Sequence, residues 1–158
     1  MMTAPSIEPT NGTVLVVDDT LDNLILTVRS LQRAGINSLA ASRGLQCLEI
    51  AKNRHVDVIL LDLIMPELDG WGTLAALRHD QTTRDIPVIM FSCDDRLAVR
   101  ERAMKEGAVD FLPRPVMPDI LLACVQMHLR AVARARALEV MDRELDSTLS
   151  RAAAAFGP

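Results

Sequence analysis

Aromatic residues are scarce in this chain of 158 residues, at only 3% of the sequence. Hydrophobic residues still account for 49%, so the chain can bury a core, and that core must be mainly aliphatic. Runs of Lys and Arg are also missing, and the formal net charge at pH 7 is -4. Because nucleic-acid binding depends on clustered positive charge, we expect no direct nucleic-acid partner.

Membrane and secretion signals are missing as well. No apolar stretch approaches the roughly 20 residues needed to cross a bilayer. The N-terminal segment "MMTAPSIEPTNG" has no basic region followed by an apolar block, so it is not a signal peptide. The three cysteines, Cys47, Cys93 and Cys124, lie in apolar contexts without metal-ligand spacing, which favours reduced, buried thiols. We therefore expect a cytoplasmic protein with no membrane partner.

What the sequence does contain is a regular alternation of strand-like and helical segments, after a flexible tail expected over residues 1–12. Strands are predicted at residues 13–17, 36–41, 56–62, 87–92 and 108–112. Helical patterns fill the intervals and follow the last strand. Strict alternation with apolar strands predicts a parallel sheet covered on both faces. The expected fold class is α/β, a flavodoxin-like (βα)5 doubly wound sheet with strand order 2-1-3-4-5.

The last predicted helix is longer than such a domain needs. No Gly or Pro interrupts residues 119–156, so a continuous helix would extend about 57 Å. We therefore divide the chain into a domain over residues 13–130 and a helical extension over residues 131–158. An apolar stripe with spacings of three and four follows the extension, at Leu138, Met141, Leu145, Leu149, Ala152 and Phe156. Such a stripe favours a second helix as partner, hence a homodimer; the alternative is a fraying, alanine-rich tail.

Polar side chains collect where the predicted strands end. In open parallel sheets, ligands bind beyond the carboxyl ends of the strands. The residues at these ends are Asp18 and Asp19 after the first strand, Asp62 on the third, Ser92 on the fourth and Arg114 just beyond the fifth. The segment "DFLPRPV" places Arg114 between two prolines, which stiffen its backbone. The sequence thus predicts three carboxylates, a hydroxyl and a cation at one edge.

This combination favours phosphoryl chemistry. Three close carboxylates repel one another unless their pKa values rise or a cation lies among them, and hard oxygen ligands favour Mg²⁺ or Mn²⁺. A carboxylate beside such an ion, with a hydroxyl and a fixed cation opposite, can attack a phosphoryl group. Arg114 is then expected to hold the phosphoryl oxygens. Each residue taken alone has an ordinary explanation as a helix cap, a turn former or a surface charge; together they favour a site.

Four segments carry a resemblance to a known family. "VLVVDDT", "VDVILLDLIMPELDG", "PVIMFS" and "GAVDFLPRP" occur in the order and spacing typical of the receiver domain of bacterial two-component response regulators. The resemblance implies that Asp62 is the phosphoacceptor, supplied by a sensor histidine kinase or a phosphotransfer protein. It implies a Mg²⁺ site formed by Asp18, Asp19, Asp62 and the backbone carbonyl of Ile64. It also implies that Ser92 and Phe111 are the switch residues.

Two positions depart from the family pattern. Arg114 replaces the usual lysine, and Cys93 stands where the family prefers Ala or Gly. The peptide bond between Arg114 and Pro115 is expected to be cis by analogy with the family. Arginine keeps the positive charge, but its guanidinium is longer, planar and bidentate.

Several functions therefore compete at this point. The leading hypothesis is a phosphorylatable receiver, a signalling module and not an enzyme, either standing alone or as the N-terminal receiver of a longer regulator. A second hypothesis is a phosphorylation-independent pseudo-receiver that serves as a dimeric scaffold. A third is a phosphohydrolase that forms an aspartyl-phosphate, as in haloacid-dehalogenase-like enzymes. Those enzymes have an Asp-x-Asp motif after their first strand. Here Asp18 and Asp19 are adjacent, which disfavours this hypothesis.

Overall fold

Five strands alternate with five helices over residues 12–157, the part of the chain that the computed structural model describes. The strands are β1 (Thr13–Val17), β2 (Asn37–Ala41), β3 (Val58–Asp62), β4 (Val88–Ser92) and β5 (Asp110–Pro113). The helices are α1 (Leu21–Arg33), α2 (Gly44–Asn53), α3 (Gly70–His79), α4 (Leu97–Lys105) and α5 (Pro118–Ala155). Apart from Gly12, the predicted N-terminal tail lies outside the described residues.

The strands form one parallel sheet in the order β2-β1-β3-β4-β5, which confirms the predicted flavodoxin-like fold. Side chains on neighbouring positions of a strand point to opposite faces, and here both faces are covered by helices. Leu15 and Leu61 lie in one buried cluster, whereas Val14 and Leu60 lie in the other. Every residue of β3 and β4 is buried as a result.

Strands β3 and β5 each begin two residues later than predicted, β5 also ends one residue later, and α4 occupies only part of the interval between β4 and β5. Before α4, Asp94 accepts hydrogen bonds from the backbone NH and the side chain of Arg96, and these bonds hold a turn where a helix was predicted. After α4, Gly107 has φ +103, and the NH of Ala108 bonds to the carbonyl of Ala103. These residues therefore end the helix instead of starting β5.

Helix α5 is continuous over 38 residues, as the lack of breakers predicted. Its first half packs on the domain through Leu121, Val125 and Leu129, and Arg136 forms an ion pair of 2.6 Å with buried Asp57. Beyond Arg136 the described residues are exposed, including the apolar stripe. Among the helices of the described region, none has the length and apolar character to cross a membrane.

The prediction of buried thiols is correct only in part. Cys47 is buried and Cys124 is half-buried, but Cys93 is exposed. Cys93 directly follows the last residue of β4 and therefore lies in the loop beyond the sheet edge, not in the core.

Candidate functional site

Three carboxylates meet at the carboxyl edge of the sheet. Strands β1 and β3 are neighbours and parallel, so Asp18 and Asp19 after β1 lie beside Asp62 at the end of β3. One oxygen from each carboxylate lies within 4.8 Å of the other two. Asp18 and Asp62 are 1% and 8% exposed, and Asp19 is exposed. We call these three residues the acidic cluster.

Arg114 joins the acidic cluster from β5. Its Nη2 lies 2.5 Å from Oδ2 of Asp18, and its guanidinium carbon lies 5.0 Å from the ring centroid of Phe91. The other carboxylate oxygen of Asp18 accepts a hydrogen bond from the NH of Thr20 at 2.9 Å. The bond between Arg114 and Pro115 is cis, as the resemblance implied. Each oxygen of Asp18 therefore has one partner, and Arg114 is held over an aromatic face.

The environment of Asp62 disfavours its charged form. Burial raises the pKa of Asp62 to about 6, and the negative charges of Asp18 and Asp19 act in the same direction. The positive charge of Arg114 offsets part of this rise, as does the NH of Ile64, which lies 3.3 Å from Oδ1. The acidic cluster thus carries more negative charge than Arg114 alone balances.

The acidic cluster fits a hard divalent cation. Octahedral Mg²⁺ binds oxygens at about 2.0–2.1 Å, so its ligands are separated by about 3 to 4 Å. The carboxylate oxygens, all within 4.8 Å of one another, reach that spacing with small side-chain movements. The raised pKa of Asp62 provides a further reason to bind a cation there. For Ile64, whose carbonyl was predicted as a ligand, the observed contact is through its NH.

The two predicted switch residues lie next to this edge. Ser92 is buried, and its Oγ accepts a hydrogen bond from the NH of Asp94 at 3.0 Å. Phe111 is 7% exposed and belongs to a buried core cluster, with the guanidinium of Arg100 over its ring at 5.3 Å. Their proposed movement on phosphorylation remains a prediction.

The start of α3 packs directly against Asp62, the predicted phosphoacceptor. A Cβ at Gly70 would lie 2.5 Å from the carbonyl oxygen of Asp62, so a larger residue cannot be accommodated without a backbone shift. Asp69 caps the helix by accepting a hydrogen bond from the NH of Gly72 at 2.8 Å. Gly70 was not among the predicted site residues; the "LDG" segment shortly after a strand-end aspartate was the signal in the sequence.

A second polar cluster was also missed. Asp110, Cys124 and His128 place their donor atoms within 4.8 Å of one another between β5 and α5. Cys124 and His128 are four positions apart, so they share one face of a helix. The expectation that the cysteines lack metal-ligand spacing concerned linear motifs; for Cys124, the helix and the neighbouring strand bring His128 and Asp110 close, which a linear motif would not reveal.

The acidic cluster and Arg114 at the carboxyl edge of a parallel sheet agree with the resemblance to two-component receivers. The family model described as response regulator receiver domain matches residues 14–126. The chain belongs to this family.

Individual relatives agree with that assignment. The chain is 32% identical over 122 residues to a probable transcriptional regulator of Porphyridium aerugineum, covering 77% of this chain and 50% of the relative. The Francisella response regulator 1452 receiver domain is 30% identical, with a TM-score of 0.73 and coverage of 77% and 98%.

One further structure bears on the fold. The receiver domain of a Pseudomonas aeruginosa PAO1 sensor histidine kinase, described with a magnesium ion in its active-site cleft, is 24% identical. Its TM-score is 0.70, and the match covers 75% of this chain and 98% of that domain.

The chain spans half or less of the length of the first curated relatives it matches, from 50% down to 14%.

Proposed function

We propose that this chain is a phosphorylatable receiver that accepts a phosphoryl group on Asp62 from a sensor histidine kinase or phosphotransfer protein, in a Mg²⁺-dependent reaction. One observation carries the proposal: in a chain of this family, Asp62 lies at the end of a central strand, surrounded by Asp18, Asp19 and Arg114. The module then acts through protein contacts and not as an enzyme. The cytoplasmic location remains a prediction.

The residues have distinct roles in the proposed transfer. An oxygen of the Asp62 carboxylate attacks phosphorus and forms the new O–P bond, while the N–P bond of the donor phosphohistidine breaks and its electrons stay on the imidazole. Arg114 and the hydroxyl of Ser92 donate hydrogen bonds to the phosphoryl oxygens. Mg²⁺ held by Asp18, Asp19, Asp62 and the carbonyl of Ile64 would neutralise charge on those oxygens. Phe111 would transmit the change as the switch aromatic.

The exposed part of α5 supports a proposal for the output. The apolar stripe begins at Leu138, two residues after the last ion pair with the domain, and continues to the helix end. A solvated stripe of this length favours burial against an identical helix. We therefore include homodimerisation through residues 131–158 in the proposal. Because several relatives are longer than this chain, we retain the alternative that the receiver is the N-terminal part of a larger regulator.

One contact favours a second candidate function. Arg114 is already paired with buried Asp18 at 2.5 Å, so the guanidinium serves a structural role before any phosphoryl group arrives. A phosphorylation-independent pseudo-receiver, acting as a dimeric scaffold, would use this ion pair as a permanent link between β1 and β5. It predicts the same fold and the same dimer, but no chemical modification.

Phosphorylation separates the two candidates. Purified protein is treated with a small phosphodonor and Mg²⁺, and its intact mass is measured promptly. We expect a single phosphoryl group on the wild-type protein and none on Asp62→Asn. The matched control is Asp95→Asn, an exposed carboxylate in the neighbouring loop, which should be modified like the wild type. Equal labelling of Asp62→Asn would reject the assigned acceptor, and no labelling of any protein would favour the pseudo-receiver.

A further inference from the structure

The half-buried cluster of Asp110, Cys124 and His128, which we call the β5–α5 triad, lies apart from the acidic cluster. Asp110 begins β5, the two other residues come from α5, and all three are partly covered. Oδ2 of Asp110 accepts two hydrogen bonds, from Sγ of Cys124 at 3.3 Å and from Nε2 of His128 at 3.0 Å. Three different donor elements, sulfur, nitrogen and oxygen, thus converge on one point.

The separations are close to those around a tetrahedral zinc ion. With bonds of about 2.3 Å to sulfur and about 2.0–2.2 Å to nitrogen and oxygen, the donors of such an ion are about 3.4 to 3.6 Å apart. The observed distances from Oδ2 to Sγ and Nε2, 3.3 and 3.0 Å, need to widen by only a few tenths of an ångström. Two of the three ligands are already spaced i,i+4 on a helix, the arrangement that helical zinc sites use.

The surroundings leave one side open and hold the carboxylate in place. The side chain of His128 is 15% exposed and that of Asp110 is 35% exposed. The second oxygen of Asp110, Oδ1, accepts a hydrogen bond from the NH of Phe111 at 2.8 Å. A cation at the triad would thus have three protein ligands and room for a water molecule in the fourth position.

We propose that Asp110, Cys124 and His128 form a binding site for a zinc-type divalent cation, distinct from the acidic cluster. Sulfur and imidazole ligands select zinc-like ions over Mg²⁺, whereas the all-oxygen acidic cluster has the opposite preference. On binding, the thiol of Cys124 releases its proton to solvent, and the proton on Nε2 of His128 moves to Nδ1, which leaves both donor atoms free to coordinate.

The proton on the Cys124 thiol opposes metal binding, because it must leave before the sulfur can coordinate. Burial raises the pKa of Cys124 to about 12, and the hydrogen bond to Asp110 and its negative charge add to the rise. A bound cation replaces the proton that the thiol now shares with Asp110. It would connect β5 to α5 through bonds to metal, directly beside Phe111 and before α5 leaves the domain. The competing explanation is a hydrogen-bonded cluster that joins the two elements without metal.

Cobalt titration of the untagged, reduced protein distinguishes a metal site from a metal-free, hydrogen-bonded cluster. Excess Mg²⁺ occupies the acidic cluster, and absorption from thiolate-to-cobalt charge transfer reports only sites with sulfur. We expect this absorption to saturate at one Co²⁺ per chain and to be displaced by Zn²⁺. Cys124→Ser should abolish it, and His128→Gln should weaken Co²⁺ binding at least tenfold. Cys93→Ser and His79→Gln, which change an exposed thiol and an exposed imidazole, should leave it unchanged.

A second measurement uses only the wild-type protein, so it tests the site even if a variant fails to fold. Alkylation of each thiol is followed by peptide mass with and without Zn²⁺. We expect Zn²⁺ to slow labelling of Cys124 at least tenfold and to leave Cys93 unaffected. Absence of the charge-transfer band, its loss in Cys93→Ser, or unchanged labelling of Cys124 would each overturn the zinc site and support the metal-free cluster.

Discussion

At the residue scale, Arg114 is the cation that the structure places beside the acidic cluster. The guanidinium contacts buried Asp18 and lies over the ring of Phe91, and the Arg114 side chain is only 16% exposed. A cation held this firmly beside three carboxylates has two opposite effects. It repels a divalent metal ion and attracts a phosphoryl group.

We therefore predict that Arg114→Ala separates these effects. Removing the positive charge should tighten Mg²⁺ binding by about three- to tenfold, or ~0.7 to 1.4 kcal/mol, because the ion no longer faces a like charge. The same change should slow phosphorylation of Asp62 by about tenfold or more, because a charge-assisted contact to the phosphoryl oxygens contributes about 1.5–3 kcal/mol. Mg²⁺ titration and the rate of mass increase measure the two effects.

Arg114→Lys is the matched control, because it keeps the positive charge and changes the shape of the side chain. Lysine keeps the charge and is the residue that the resemblance leads one to expect here, so Mg²⁺ affinity should remain close to wild type and phosphorylation should be at least as fast. If all three proteins were phosphorylated at one rate, Arg114 would have no role in holding the phosphoryl group and would serve only as the partner of Asp18.

At the element scale, α5 has a packed half and an exposed half, and one ion pair lies where they meet. Its first half completes the core, and Arg136 then fixes the helix to Asp57 at the opposite end of the sheet from the acidic cluster. Burial by itself would raise the pKa of Asp57. The NH of Thr13, the contact and charge of Arg136 and the charge of His55 together outweigh burial and lower it. Asp57 thus stays ionised and anchors the helix where its exposed half begins.

We predict that the exposed half of α5 forms the dimer contact. A chain ending at Ala137 keeps Arg136 and loses the apolar stripe, so it should fold normally and self-associate at least tenfold more weakly than the full chain. Leu145→Glu should have the same effect in the full chain, because it places a charge in the stripe. Light scattering at micromolar concentration measures both.

Ser147→Glu provides the matched control. At about 100° per residue, Ser147 lies on the opposite side of the helix from the stripe, so the same new charge should leave the dimer intact. A monomeric full chain, or equal weakening by both glutamates, would exclude the stripe as the interface.

At the scale of the whole molecule, the acidic cluster makes stability depend on pH and on metal. The folded-state pKa of Asp62 is about 6, above its ordinary value of 3.8. The folded protein therefore binds this proton more tightly than the unfolded chain does. The stabilisation from Asp62 is fully present below about pH 4 and is lost as the pH rises through about 6.

We predict that Asp62→Asn removes this loss. In EDTA, the free energy of unfolding of the variant should exceed that of the wild type by an amount that grows between about pH 4 and 6 and then levels off. The plateau should be about 1 to 2 kcal/mol, because one pKa unit corresponds to about 1.4 kcal/mol and solvent screens part of the effect. Urea unfolding across this pH range measures the difference.

Carboxylates with lowered pKa values, such as Asp57 and Asp110, contribute equally to both proteins and cancel in the difference. Asp95→Asn, in the exposed loop, should give a flat difference. Mg²⁺ should stabilise the wild type above pH 6 and stabilise Asp62→Asn much less. A difference that shrinks as the pH rises would contradict the burial of charge at Asp62.

The sequence by itself determined the fold and the location of the acidic cluster. Alternating apolar strands require a covered parallel sheet, and strands that run in one direction bring their carboxyl ends to one edge. Asp18, Asp19 and Asp62 follow from that geometry without any side-chain detail. The length of α5 followed in the same way from the absence of Gly and Pro between Pro118 and Gly157.

Only the tertiary structure decided which side chains pair. Arg114 contacts Asp18, 96 positions away, and Arg136 contacts Asp57, which no local spacing indicates. The β5–α5 triad depends on the rotation of α5 against β5, and that rotation is set by the packing of apolar residues such as Val125 and Leu129. Sequence periodicity places a residue on one face of its helix or strand. Which side chain it contacts depends on how the close-packed helices and strands are oriented against each other.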